Sequence, residues 1–216
     1  MISVAVPMTW SSLSLLTDEE LVTRSKTGDA DSFNQLVRRW ERPIFALAYR
    51  TLGREEDARD VTQETFLRAF RALPGFKGDS KFSSWLYRIA LNLCRDWLRR
   101  DRRAPMVNVP DGVEVHELAV DKQETASVED LAARAELSRA VKAAMELLPA
   151  EQRTAIILKE YHGLTFQEIA DVMNCPLSTA KTRLYQGLTL LRRHLAEQGK
   201  FDPAASQRAK HARGES

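Results

Sequence analysis

The chain has 216 residues, with 32 Lys and Arg against 30 Asp and Glu and 44% hydrophobic side chains. That length allows one domain or two small ones, and the composition is that of an ordinary folded protein. No apolar run is long enough to cross a membrane, and the N-terminus lacks the features of a secretory signal. Two cysteines cannot build a disulfide framework. We therefore expect a cytoplasmic protein that does not insert into membranes.

Helical periodicity dominates the first half, where no window alternates apolar and polar residues as a strand would. Thr17 and Glu20 have the spacing of a capping box, which predicts the start of the first helix. Glycine and proline residues separate the apolar stripes and predict where each helix ends. Helices are predicted, in chain order, at about 18–26, 30–52, 55–73 and 82–102.

Helical spacing is lost from 104 to 127 and then returns. The segment 104–135 carries seven acidic residues against two basic ones, so an acidic linker is predicted here. Later helices are predicted at about 128–148, 150–161, 166–173 and 177–195. The predicted fold is all-α, with two small helical domains joined by a flexible linker. The predicted segments are an N-terminal extension 1–16, a first domain 17–103, the linker 104–134, a second domain 135–195 and a C-terminal tail 196–216.

The second predicted domain has the spacing of a helix-turn-helix. A short helix at 166–173 is followed by a three-residue turn and a helix from Leu177. On that last helix a leucine-rich arc lies opposite a polar arc, and charged residues from 176 to 195 are all basic. A solvated polar face is one interpretation, and binding in a DNA major groove is the one that we favour. The candidate DNA-binding residues are Ser178, Thr179, Lys181, Thr182, Arg183, Tyr185 and Gln186.

Two further patterns occur in the first half. Asp60, Gln63 and Glu64 lie at i, i+3 and i+4, so they share a helix face that could dock a protein surface or be simply solvated. With no histidine near them, we predict neither a metal site nor a cofactor. The segment 76–103 interleaves aromatic and basic residues, a combination that suits unpaired bases. The alternative is that its aromatics are core and its arginines only solubilise a helix end.

Two strings of residues together identify a family. The residues 57–66 (DARDVTQETF) through 76–92 (FKGDSKFSSWLYRIALN) strongly resemble region 2 of extracytoplasmic-function (ECF) sigma factors. Residues from 148 (LPAEQR) to 185 are similar to their region 4. The resemblance covers about 17–195, with both regions in the family's order and a linker between them.

The resemblance implies roles for the candidate residues. Asp60, Gln63 and Glu64 would bind the clamp helices in the largest subunit of RNA polymerase. The loop 76–81 would capture a base flipped from the minus-10 element, and the helix after it would contact the same element. The helix 177–193 would read the minus-35 element. The implied minus-10 residues are Phe76, Lys77, Gly78, Asp79, Ser80, Lys81, Tyr87, Asn92, Arg95, Asp96 and Arg99.

The implied partners are core RNA polymerase, through its clamp helices and flap, promoter DNA and an anti-sigma factor. The linker would thread toward the active-site and RNA-exit channel of the polymerase, and no catalytic activity is expected. Two other hypotheses remain. A dimeric helix-turn-helix regulator would leave 76–103 unexplained. A metal-dependent hydrolase using Asp60 and Glu64 would lack any nearby His, Cys or glycine-rich phosphate loop.

Overall fold

The computed structural model describes residues 13–101, 128–197 and 199, and within these ranges it contains helices and no strand. The predicted all-α fold is confirmed. Residues 104–127 of the predicted linker, most of the N-terminal extension and nearly all of the C-terminal tail lie outside the described residues. The last part of the predicted linker, 128–134, belongs to a helix. The helices are α1 (Asp18–Lys26), α2 (Ala30–Leu52), α3 (Glu55–Ala72), α4 (Phe82–Asp101), α5 (Val128–Glu146), α6 (Ala150–Ile156), α7 (Phe166–Met173) and α8 (Leu177–Glu197).

The described residues form two compact units, one of 13–101 with 167–175 and one of 128–166 with 176–197. In the first, α2 packs against α1, α3 and α4, and α3 packs against α4. Burial of apolar side chains from all four helices is the main source of its stability. The largest fully buried side chains of this unit are Leu21, Leu36, Ile44, Leu47, Val61, Leu73, Phe82, Leu86, Leu91 and Ile169.

Capping residues fix the first two helix starts. The Thr17 hydroxyl accepts from the Glu20 amide at 3.3 Å, and the Glu20 carboxylate accepts from the Thr17 amide at 2.8 Å. The capping box is therefore present where the spacing predicted it. Asp29 caps α2 by accepting from the amides of Asp31 and Ser32, and the Ser32 hydroxyl holds the pKa of that carboxyl below its usual range.

In the second unit, α8 packs against α5 and α6. The single helix predicted over 150–161 is instead α6 followed by a π-helical segment, Ile157–Tyr161. Ile157 and Leu158 of that segment are buried. Periodicity could not separate the two forms, because one π turn changes the spacing of apolar positions too little to be read in so short a stretch.

The turn between α7 and α8 lies where the sequence predicted it. Asn174 adopts a left-handed conformation, with φ at 50°, that asparagine tolerates better than most residues. The Cys175 amide donates to the Ala170 carbonyl at 3.0 Å, which closes the end of α7. The turn between the two helices is therefore formed by local backbone geometry.

Candidate nucleic-acid and protein interfaces

The acidic and amide face of α3 opens onto a cleft. Asp60, Gln63 and Glu64 all line it, as their spacing predicted, and its volume is about 360 Å³. Asp60 and Gln63 are exposed, whereas Glu64 is half-buried and accepts a hydrogen bond from Arg68 Nε at 2.7 Å. The three side chains therefore form one accessible surface.

Helix α4 supplies the opposite side of this cleft. Leu93, Asp96, Trp97 and Arg100 line it, and Leu67 of α3 adds an apolar side chain that is 51% exposed. Sequence reasoning missed Trp97 and Arg100, because only packing of α3 on α4 brings them to the α3 face. Asp96, a candidate for the minus-10 element, lies in this cleft and pairs with Arg99. The cleft combines apolar surface with charges of both signs.

The loop that precedes α4 rests on aromatic side chains. The Phe76 ring lies 4.8 Å from the Trp85 ring and 6.3 Å from the Phe82 ring, between centroids. Lys26 of α1 donates to the Phe76 carbonyl at 2.7 Å, a link between residues 50 positions apart that no sequence pattern reveals. Most of the loop beyond this support is accessible: Lys77, Gly78, Asp79 and Lys81 are exposed, and Ser80 is half-buried.

Within the same unit, Lys81 Nζ pairs with Glu168 Oε1 at 2.8 Å, and this hydrogen bond raises the pKa of Lys81. On α4, Asn92 and Arg99 are exposed and Arg95 is half-buried, with Arg95 donating to Asn92 at 3.5 Å.

Tyr87 lies in the core of the first unit. It is 4% exposed, and its ring meets the Trp40 ring edge-on at 5.8 Å. Burial raises the pKa of its hydroxyl, because the charged phenolate would be desolvated. The structure therefore places Tyr87 behind the surface that Asn92 and Arg99 share.

The outer face of α8 carries most of the candidate duplex-binding side chains at its surface. Ser178, Lys181, Thr182, Tyr185 and Gln186 are exposed, whereas Thr179 and Arg183 are half-buried. The inner face is centred on Ala180, Leu184 and Gly187. Leu177, expected on the apolar arc, is 38% exposed.

Aromatic and cationic groups gather beside this face. The Phe166 ring lies 6.1 Å from the Tyr185 ring, and Lys181 Nζ lies 5.7 Å from the Phe166 centroid. Lys159 Nζ lies 5.2 Å from the same centroid. Sequence reasoning missed Phe166 and Lys159, which precede the turn. Their contacts restrict Lys181 and Tyr185 by cation–π and ring packing.

Helix α6 contacts the same stretch of α8. Arg183 pairs with Glu151 at 2.9 Å, and Gln152 Nε2 donates to Gln186 Oε1 at 3.4 Å. A Cβ at Gly187 would lie 3.1 Å from Gln152 Cβ and 3.2 Å from its carbonyl oxygen. The two helices therefore approach closely here, and α6 holds two of the candidate residues.

Within residues 13–101, 128–197 and 199, no helix is both long and apolar enough to span a bilayer. No group of three or more His, Cys, Asp and Glu side chains in those ranges could hold a metal ion.

Comparison with known proteins decides the family. Residues 36–104 match the family model Sigma-70 region 2, and residues 138–191 match Sigma-70, region 4. The chain is 39% identical over 173 residues to an ECF RNA polymerase sigma-E factor of Salmonella typhimurium, covering 79% of this chain and 90% of that one. The chain belongs to the ECF RNA polymerase sigma factors.

A second curated relative is also an RNA polymerase sigma factor, and one solved structure shares the fold. The RNA polymerase sigma-H factor of Pseudomonas aeruginosa is 37% identical over 171 residues, covering 78% of this chain and 89% of the relative. Among solved structures, CnrH in complex with the cytosolic domain of CnrY matches with a TM-score of 0.61 at 29% identity. That match covers 83% of this chain and 97% of the other.

The family resemblance predicted from the two sequence strings is therefore confirmed. This sigma factor acts in promoter-specific initiation of transcription, and the matched regions 2 and 4 include the candidate surfaces described above. The α3 cleft, the loop before α4 and α4 itself fall in region 2. The outer face of α8 falls in region 4.

Proposed function

We propose that this sigma factor binds core RNA polymerase through the α3 cleft, with Asp60, Gln63 and Glu64 in contact with the clamp helices of the largest subunit. The observation that supports this role is that all three side chains line a single cleft, with Leu67 exposed among them. Accessible apolar surface beside polar groups is typical of protein interfaces. Carboxylates on one side favour a partner helix that presents basic side chains.

For the minus-10 element, we propose capture of an unpaired base by the loop 76–81 and backbone contacts by Asn92, Arg95 and Arg99. Taking a base out of the stack costs a few kcal/mol, so a preformed site is required. The packing of Phe76 on Trp85 and the bond from Lys26 support such a site. Because Tyr87 is buried, its role here is to support α4, and Asp96 belongs to the cleft side of that helix. By these contacts the sigma factor assists promoter melting.

For the minus-35 element, we propose that α8 enters the major groove. Ser178, Lys181, Thr182, Tyr185 and Gln186 are exposed along one helix that follows a tight turn, which is the arrangement of a recognition helix. Arg183 is half-buried on the flank of this face nearer α6, where it pairs with Glu151. Lysine and arginine supply phosphate or guanine contacts, and glutamine can pair with adenine.

The remaining features of the proposal concern the whole chain. It acts in the cytoplasm as an initiation factor with no catalytic activity of its own, and region 4 also contacts the polymerase flap. The proposed domains are 17–103 and 135–195, with the acidic segment between them running toward the RNA-exit channel. An anti-sigma factor is a proposed regulator, and the similar protein CnrH was solved in complex with a protein partner, the cytosolic domain of CnrY.

A run-off transcription assay tests the proposal. Bacterial core polymerase is incubated with a pool of promoter fragments from the source genome, with and without the purified chain. We expect discrete transcripts only when the chain is present, and their start sites define the two promoter elements. Binding to duplex fragments without any transcript would instead support a polymerase-independent DNA-binding regulator.

A further inference from the structure

Arg183 stands in a different environment from the other basic side chain on the recognition face. Its guanidinium pairs with the Glu151 carboxylate at 2.9 Å, and its side chain is 28% exposed. Lys181, two positions earlier on α8, is exposed and lies near Phe166. The duplex would therefore meet one exposed cation packed near an aromatic ring and one cation that already has a carboxylate beside it.

Packing, and not only charge, fixes the position of that carboxylate. Glu151 is adjacent to Gln152, and the Gln152 backbone lies so close to Gly187 that a Cβ there would be 3.2 Å from its carbonyl oxygen. Gln152 also bonds to Gln186 on the same stretch of α8. The start of α6 is thus held against the recognition helix, with Glu151 on the side of Arg183.

A partly exposed ion pair of this kind adds little to folding stability. Its effect on DNA binding is larger, because the Glu151 carboxylate repels the phosphate backbone while it holds one edge of the guanidinium. A guanidinium carries five donors, so engagement of one nitrogen leaves others for a base edge. A neutral acceptor such as guanine O6 or N7 therefore competes better for Arg183 than a phosphate does.

We propose that Glu151 is a specificity-determining residue for the minus-35 element. It positions Arg183 for base contact and disfavours phosphate contact, so duplexes with the wrong sequence gain little from this arginine. The inference rests on the proposed minus-35 role of α8 and adds to it a residue outside the recognition helix.

The test uses reconstituted holoenzyme and two competing templates that differ only in the minus-35 element. Wild-type chain is compared with Glu151→Gln, and Glu146→Gln serves as a control that removes the same charge from an exposed position on α5. For Glu151→Gln we expect selectivity between the templates to fall on the order of tenfold, through increased use of the substituted template. Its salt dependence on that template should steepen by roughly one phosphate contact. Glu146→Gln should match the wild type.

A second comparison separates positioning from a structural effect. In an Arg183→Ala background, Glu151→Gln should leave selectivity unchanged, because the side chain that it positions is absent. Three results would each overturn the inference. Glu151→Gln could lose activity on both templates, or it could leave selectivity unchanged. Glu151→Gln could also lower selectivity further in the Arg183→Ala background. If the wild type itself shows no preference between the templates, the proposed minus-35 role fails, and the inference fails with it.

Discussion

Cys94 and Cys175 occupy different environments. Cys94 is buried in a cluster with Ala48, Ala58, Val61 and Leu93, and desolvation raises the pKa of its thiol to about 12. Cys175 is half-exposed in the turn before α8. Since the thiolate is the reactive form, a raised pKa keeps Cys94 protonated and inert across the physiological range.

Alkylation should therefore distinguish the two thiols. With iodoacetamide at pH 8 we expect Cys175 to be modified in the folded chain and Cys94 to stay unmodified until the chain is unfolded in guanidinium. Peptide mass spectrometry after timed quenching measures each site separately. Equal rates at both sites in the folded chain would contradict the burial of Cys94.

At the scale of helices, the contact between α6 and α8 depends on a glycine, which has no side chain to separate them. Gly187 is buried in the middle of α8, a position where glycine costs roughly 1 kcal/mol relative to alanine. That cost is offset by close packing, since an added Cβ would meet Ile156 Cδ1 at 3.0 Å as well as Gln152. Gly187 thus allows α6 to approach α8 closely, which places Glu151 and Gln152 beside the recognition helix.

Gly187→Ala should destabilise the second unit despite the better helix propensity of alanine. Overpacking costs about 1–3 kcal/mol, and we expect this cost to exceed the propensity gain because one of the close contacts is with the backbone carbonyl of Gln152. Differential scanning calorimetry of the full chain should show a lowered transition for this unit. Gly75→Ala is the control, because a Cβ there would meet nothing within 4 Å. An unchanged transition in Gly187→Ala would mean that α6 can shift freely away from α8.

At the scale of the whole molecule, each unit has its own buried core and its own candidate surface. The α3 cleft lies in the first unit, and the outer face of α8 lies in the second. Substitutions on one surface should therefore leave the other intact. This separation allows polymerase binding and minus-35 binding to be tested independently.

Gln63→Ala combined with Glu64→Ala should weaken binding to core polymerase by about tenfold or more, as for central interface residues, without changing affinity for a minus-35 duplex. Lys181→Ala should show the reverse, with weaker duplex binding and a shallower salt dependence. Fluorescence anisotropy with labelled chain or duplex measures both affinities. Normal core binding by the double variant would contradict the proposal that the α3 cleft is part of the polymerase interface.

Most helix positions could be predicted from the chain, because the signals that set them are local. The capping box at Thr17, the left-handed Gly53 that ends α2 and the turn before α8 each act within a few residues. The π-helical segment after α6 was missed, since apolar spacing is nearly the same in both helix types. The site residues were chosen by helix face and by resemblance, which is why Tyr87 was grouped with exposed neighbours although its ring packs on Trp40.

The all-α class, the order of the two regions and the family could be inferred without coordinates, because periodicity, capping and the two motif strings each depend on residues close together in the chain. Contacts between side chains that are far apart in the chain became visible only in the folded structure. Lys26 reaches the Phe76 carbonyl, Trp97 joins the α3 cleft, and Glu151 pairs with Arg183. These contacts depend on how helices pack, and packing depends on shape and burial summed over many residues that no local pattern contains.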